Sequence, residues 1–127
     1  MPLAGEGLRY VGRITDAEKW DGLAGAMAVV VPSRWESLSL LALEAFAQAT
    51  PIVANAASEV LTGQVRRSRA GALYTDGRSF AAAVHDVAKR RAVLGRNGRA
   101  FAAKHRWDKV LVAYREEIAR ILEGSTS

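Results

Sequence analysis

The chain has 127 residues, half of them hydrophobic, and its 18 basic residues outnumber the 13 acidic ones, which leaves a net charge of +5. This length predicts a single domain, residues 1–127, with enough apolar surface for its own core. The absence of cysteine excludes disulfides and cysteine-ligated metal sites. No apolar run approaches the ~20 residues that span a bilayer, and the N-terminus lacks the pattern of a signal peptide, so we expect a cytoplasmic protein.

Much of the positive charge lies in two stretches, residues 66–69 and 89–106. Such a surplus can attract nucleotides, nucleic acid or anionic lipid headgroups, but a solvated helix surface explains it as well. No zinc-finger spacing, RNA-binding aromatic signature or Walker-type loop accompanies these charges. We therefore expect no nucleic-acid partner, and a peripheral contact with the inner face of the membrane stays open.

The hydrophobic pattern predicts short strands that alternate with helices. Strands are predicted at 8–12, 28–31, 51–54 and 70–74. Helices are predicted from Thr15, which opens a capping box with Glu18, to about 25, and at 40–48, 79–91, 99–104 and 108–122. The segment 55–69 is predicted as a loop with at most one helical turn, and 123–127 as a frayed tail. Either Ser37 or Ser39 can cap the helix at 40–48, which we expect to lie deep in the protein because it is so apolar.

This order of elements predicts a three-layer α/β/α fold with a Rossmann-like parallel sheet of about four strands. Ligands of such folds bind at the carboxyl ends of the strands. The sequence Pro32-Ser33-Arg34-Trp35-Glu36 follows the strand at 28–31, and Glu44 follows eight positions later on a helix. The sequence thus predicts a ligand site with one carboxylate in a loop and another on a helix.

These residues resemble the E-x7-E segment of retaining glycosyltransferases of the GT-B fold, family 4. The resemblance continues through Thr50–Ala54 and Gly71–Tyr74 to the closing helices after Gly98, which include Trp107. The family commonly has glycines where this chain has Ser37 and Ser39. It implies that the chain is part of the C-terminal, nucleotide-sugar-binding domain, and that the first two strands and the acceptor-binding domain lie outside it.

The resemblance also implies roles for particular residues. Glu44 would hold the ribose hydroxyls and Glu36 the hydroxyls of the donor sugar, while the backbone of Ser37, Leu38, Ser39 and Leu40 would meet the diphosphate. The other donor-site residues that we expect are Ser33, Arg34, Glu59, Val60 and Arg67. Three of these roles have alternatives. A nearby backbone group or arginine could satisfy Glu44, Glu36 could be a surface residue or helix cap, and Arg67 could face solvent.

Trp35 could stack on a sugar or base, or it could pack in the core. A glutamate that is buried and unpaired on an apolar helix would be costly, which favours a binding role for Glu44.

The function that this resemblance implies is binding of a UDP-, GDP- or ADP-sugar for retaining hexosyl transfer to a sugar or lipid-linked acceptor, as in bacterial polysaccharide biosynthesis. We expect no metal and no cofactor besides this substrate, and no transfer by the chain alone. The alternative is a stand-alone, dimeric nucleotide-binding or regulatory module. Because a parallel sheet that lacks strands has an open edge, we expect a homodimer that forms through that edge.

Overall fold

The computed structural model describes residues 7–35, 39–104 and 107–125. Its helices and strands occur in the order α1 (Asp16–Gly25), β1 (Val29–Val31), α2 (Leu40–Ala47), β2 (Ile52–Asn55), α3 (Glu59–Ser68), β3 (Gly71–Tyr74), α4 (Gly77–Lys89), α5 (Arg91–Lys104) and α6 (Trp107–Ser125). This alternation confirms the predicted α/β class. At 123–125, where the sequence predicts a frayed tail, the structure continues α6.

The sheet is parallel throughout, with the strand order β1-β2-β3. Val53 in the middle of β2 pairs with Val30 on one side and Ala72 on the other. Within the described ranges the sheet has three strands, not about four. The predicted first strand, 8–12, forms only an isolated bridge at Leu8, because no neighbouring strand pairs along it to satisfy its backbone.

The central strand separates two apolar clusters. Ile52 and Ala54 belong to the cluster that includes Phe46 of α2, whereas Val53 points to the other face, where it packs with Val87 of α4. All three of these β2 residues are fully buried. A strand that is covered on both faces is continuously apolar, as this one is, so the three-layer arrangement is confirmed.

Short-range polar signals predict the starts of two helices, α1 and α2, correctly. Thr15 and Glu18 form the capping box of α1, with backbone-to-side-chain distances of 3.0 and 3.1 Å. Ser39 caps α2 by accepting a hydrogen bond from the Ala42 N–H at 3.2 Å. Of the two serines that we considered for this cap, the structure uses Ser39.

The prediction of a loop at 55–69 was wrong for most of its length, because residues 59–68 form α3. Ser58 caps this helix by accepting a hydrogen bond from the Leu61 N–H at 3.1 Å. The inner face consists of residues with helical spacing, two of which are polar: Leu61, Gln64, Val65 and Ser68. Because two of these inward-facing residues are polar, a prediction based on hydrophobicity does not detect the amphipathic pattern of this helix.

The gap between the helices predicted at 79–91 and 99–104 is helical in the structure, and Gly95 and Gly98 lie inside α5. A Cβ atom at Gly95 would lie 2.3 Å from the carbonyl oxygen of Ala49, and one at Gly98 would lie 2.9 Å from the Phe46 ring. Both glycines are buried, and they allow α5 to pack closely against the end of α2. At both positions the lack of a Cβ atom makes room for a neighbouring residue, and neither glycine is needed for an unusual backbone conformation.

Candidate functional site

The carboxyl ends of β1 and β2 are joined by the side chain of Asn55. Its Nδ2 donates to the carbonyl oxygen of Pro32 at 3.1 Å, and its Oδ1 accepts from the Ala57 N–H at 2.9 Å. Asn55 thus connects the loop after β1 to the loop after β2. Sequence analysis missed it, although an asparagine at the end of a buried strand is a signal for such a turn.

The N-terminus of α2 lies directly after the β1 loop. The first N–H groups of a helix have no intrahelical carbonyl partner and carry the positive end of the helix dipole, so they suit an anion. Ser39 is buried, and its hydroxyl satisfies the N–H of Ala42, whereas the N–H groups of Leu40 and Leu41, in the first turn, have no carbonyl partner within the helix. Leu40 itself is half exposed, at 53%. The roles predicted for Glu36, Ser37 and Leu38 lie outside the described residues.

Glu44 is paired with a lysine. The Nζ atom of Lys19, on α1, lies 2.6 Å from Oε2 of Glu44, and the two side chains are 38% and 27% exposed. The hydrogen bond to the Glu44 carboxylate raises the pKa of Lys19. The alternative to a binding role was a Glu44 satisfied by a nearby backbone group or arginine. In the structure the partly exposed carboxylate is instead paired with a lysine, a residue that the sequence did not single out.

Arg34 and Trp35 lie in the loop between β1 and α2. Trp35 is 86% exposed, so the alternative in which it packs in the core is wrong. The Arg34 guanidinium lies 5.6 Å from the centroid of the Trp35 ring, within cation–π range. Ser33, which precedes them, is half buried. The loop therefore presents a cation and a flat aromatic face beside the carboxyl edge of the sheet.

The residues expected on α3 divide between its two ends. Glu59 and Val60 form its first turn, next to the end of β2, with Glu59 exposed and Val60 half buried. Arg67 lies in the last turn, about 12 Å further along the helix axis. Its guanidinium lies against Gly63, where an added Cβ would come within 2.8 Å of it. The structure thus places Glu59 and Val60 at the carboxyl edge and Arg67 away from it.

Gln64 is a further buried residue that contacts the start of α2. Its side chain is 2% exposed, and its Nε2 donates to the carbonyl oxygen of Ser39 at 3.4 Å. Sequence analysis missed it because α3 was not predicted as a complete helix. The signal that could have revealed it is helical spacing: Gln64 follows Leu61 by three positions and therefore lies on the same, inward face of α3.

Comparison with known proteins identifies the family. Residues 2–90 match the family described as glycosyl transferases group 1. The chain belongs to this family.

Two curated relatives of this group 1 glycosyltransferase chain carry the same name, D-inositol 3-phosphate glycosyltransferase. The protein from Geodermatophilus obscurus is 39% identical over 88 residues, which cover 68% of this chain and 19% of the relative. The protein from Nocardioides sp. is 36% identical over 126 residues, which cover 92% of this chain and 27% of the relative. The group 1 glycosyltransferase chain therefore spans about a quarter or less of the curated relatives that it matches.

No solved structure gives a significant match to this group 1 glycosyltransferase chain. Across residues 7–35, 39–104 and 107–125, none of the helices combines the length and the apolar character needed to cross a membrane.

Proposed function

We propose that this chain is the donor-binding part of a retaining group 1 glycosyltransferase, and that it binds the diphosphate of a nucleotide sugar at the N-terminus of α2. The observation that carries the proposal is the position of that helix end. Asn55 fixes the loop after β1, and Ser39 caps the helix that follows, so an anion-binding helix terminus lies at the carboxyl edge of a parallel sheet. Family membership supports the same assignment.

The other groups follow from the chemistry of the ligand. A carboxylate can accept two hydroxyl hydrogen bonds, so Glu44 suits the two hydroxyls of ribose, and Glu36 suits hydroxyls of the transferred sugar. Charge-assisted hydrogen bonds of this kind contribute about 1.5–3 kcal/mol each. Lys19 occupies one oxygen of Glu44, so ribose binding must displace or share that ion pair. Arg34 and Trp35 lie in the loop after β1, where a base or sugar ring can stack on the exposed indole.

The proposed transfer step needs groups beyond these residues. Donor departure leaves negative charge on the diphosphate, and helix N–H groups stabilise it only in part. We infer that further cationic groups and the acceptor-binding domain belong to the rest of the enzyme, so the chain alone binds donor but does not transfer sugar. Because both curated relatives are named for D-inositol 3-phosphate, that compound is the first acceptor to test with a longer protein.

The binding test is calorimetric titration of the chain with UDP, GDP and ADP, followed by the same titrations of Glu44→Ala. We expect one diphosphate to bind and its affinity to fall at least about tenfold in the variant, which corresponds to the loss of one charge-assisted hydrogen bond. Failure of all three diphosphates to bind at millimolar concentration would overturn the proposal. Sugar transfer by the isolated chain would overturn the part that concerns activity.

One observation favours a second candidate function, a dimeric nucleotide-binding module without transfer activity. β1 is the first strand in the sheet order, and none of the described residues pairs with its outer side. Val30, at the middle of β1, is 42% exposed. An unpaired edge strand is a template for a strand of a second copy. Nucleotide binding by a stable dimer, with transfer absent even after an acceptor domain is supplied, would favour this candidate.

A further inference from the structure

Gln64 has one partner and one unsatisfied atom. Its Nε2 donates to the Ser39 carbonyl, whereas its Oε1 is buried and has no hydrogen-bond partner. Among the side chains that the structure describes, no other buried polar atom is in this state. Buried polar groups in proteins almost always have a partner, so an exception next to a proposed ligand site requires an explanation.

The orientation of the amide follows from its neighbour. The Ser39 carbonyl oxygen also accepts the Leu43 N–H at 3.3 Å, and an oxygen that accepts hydrogen bonds cannot face a second acceptor. The nitrogen of the Gln64 amide must therefore face Ser39. The unsatisfied atom is consequently the oxygen, Oε1, and only a hydrogen-bond donor can satisfy it.

We propose that Gln64 is a donor-site residue whose Oε1 accepts a hydrogen bond from a hydroxyl group of the bound nucleotide sugar. This inference rests on the proposed function, because it places the ligand at the N-terminus of α2, which the same amide contacts through Ser39. The diphosphate has only acceptor oxygens at neutral pH and cannot complete Oε1. A hydroxyl of the sugar or the ribose can.

The proposal has a structural consequence. Ser39 and Gln64 are both 2% exposed, so the hydroxyl reaches Oε1 only when the start of α2 and α3 separate slightly. The bond between Nε2 and Ser39 is long, at 3.4 Å, and is the contact that such a movement would stretch. Through Gln64, binding of the nucleotide sugar is therefore coupled to the packing of α3 against α2.

The test uses Gln64→Met, which keeps the length of the side chain and removes both polar atoms. Gln48→Met is the matched control, because it makes the same change at the opposite, C-terminal end of α2. Affinities for UDP, GDP, ADP and for UDP-glucose, GDP-mannose and ADP-glucose are measured by calorimetry, beside the Tm of each variant. We expect Gln64→Met to keep the wild-type Tm and to lose about tenfold in affinity, and Gln48→Met to bind as wild type does.

The ligands distinguish the two sources of the hydroxyl. A loss that appears only with the sugar nucleotide assigns the hydroxyl to the transferred sugar, whereas a loss that appears also with the nucleoside diphosphate assigns it to ribose. Unchanged affinity of Gln64→Met, with wild-type binding intact, would overturn this inference and leave the proposed function standing. Absence of binding by the wild-type chain would overturn both.

A measurement on the wild-type chain covers the case in which Gln64→Met does not fold. The side-chain amide of Gln64 is followed by nuclear magnetic resonance during titration with the ligand that binds. A hydrogen bond to Oε1 polarises the amide, so we expect its Nε2 resonances to shift more than those of Gln48. Resonances of Gln64 that stay in place at saturation would contradict the proposal.

Discussion

The Nζ atom of Lys19 lies 2.6 Å from Oε2 of Glu44, which makes a salt bridge between α1 and the outward face of α2. The residues of α2 that contact the core, Ala42, Ala45 and Phe46, lie on the opposite face. Lys19 is also 4.9 Å from the centroid of the Trp20 ring. The carboxylate proposed for ribose is therefore paired with a lysine, and ligand and lysine must compete for it.

This competition predicts opposite effects of two substitutions. Glu44→Gln removes the charge and should weaken nucleoside diphosphate binding. Lys19→Met releases the carboxylate and should strengthen binding by about two- to fivefold, the range expected when an exposed ion pair is removed. Calorimetry on both variants measures this. Weaker binding by Lys19→Met would show instead that the lysine contacts the ligand.

The two helical glycines at 63 and 95 should respond oppositely to alanine. At Gly95 the new Cβ would come within 2.3 Å of a backbone oxygen, that of Ala49, which cannot move aside. Gly95→Ala should therefore lower the free energy of unfolding by more than about 2 kcal/mol.

At Gly63 the nearest atom is the end of the flexible Arg67 side chain, so Gly63→Ala serves as the matched control. It should raise the free energy of unfolding by about 0.5–1 kcal/mol through helix propensity. Urea denaturation of both variants measures the difference. Equal destabilisation by the two substitutions would contradict the close packing of α5 against the end of α2.

Asp76 should contribute stability that depends on pH. It caps α4 by accepting the Ser79 N–H at 2.8 Å, and this hydrogen bond, with that of the Ser79 hydroxyl, lowers the pKa of Asp76. A carboxyl whose pKa is lower in the folded protein stabilises it when ionised, so its contribution is present above about pH 4 and is lost as the pH falls through the lower folded value.

Asp76→Ala should therefore lower the Tm by several degrees at pH 7, and the difference from wild type should shrink below about pH 4. Thermal melts between pH 2.5 and 7 measure it. Glu59→Ala, which changes an exposed carboxylate at the start of α3, is the comparison for the loss of one negative charge. A difference for Asp76→Ala that stays constant down to pH 2.5 would contradict the cap.

The chain should form a homodimer through the open edge of β1. Val29 donates its N–H to the Pro51 carbonyl at 3.0 Å, so the N–H of the next residue, Val30, points to the unpaired side. Val30→Pro removes that donor without removing a bond to β2, and should convert a dimer into a monomer. Val30→Thr keeps the N–H and serves as the control.

Sedimentation equilibrium measures both Val30 variants against the wild-type chain. A wild-type chain that is monomeric at 100 µM, roughly the concentration at which a weak homodimer is already populated, would overturn the proposed interface. A Val30→Pro variant that stays dimeric would place the interface elsewhere.

The sequence predicted correctly the features that depend on residues close together in the chain, and it missed those that depend on distant residues. Thr15 and Glu18 are three positions apart, and so are Ser39 and Ala42, so their capping patterns can be recognised within one turn of chain. The apolar run at β2 predicts a strand that is covered on both faces, and its residues are buried. The helix at α3 was missed because Gln64 and Ser68 are polar, and what buries them is packing against other elements.

The amino-acid sequence alone determined the α/β class, the positions of β1, β2 and β3, and the likeness of residues 32–44 to a glycosyltransferase segment, because these depend on local pattern. Only the tertiary structure decided that Lys19 pairs with Glu44 and that Gln64 contacts Ser39. Each of these pairs joins two different helices across a strand crossover. The order of residues along the chain cannot specify such contacts until the sheet has placed the helices side by side.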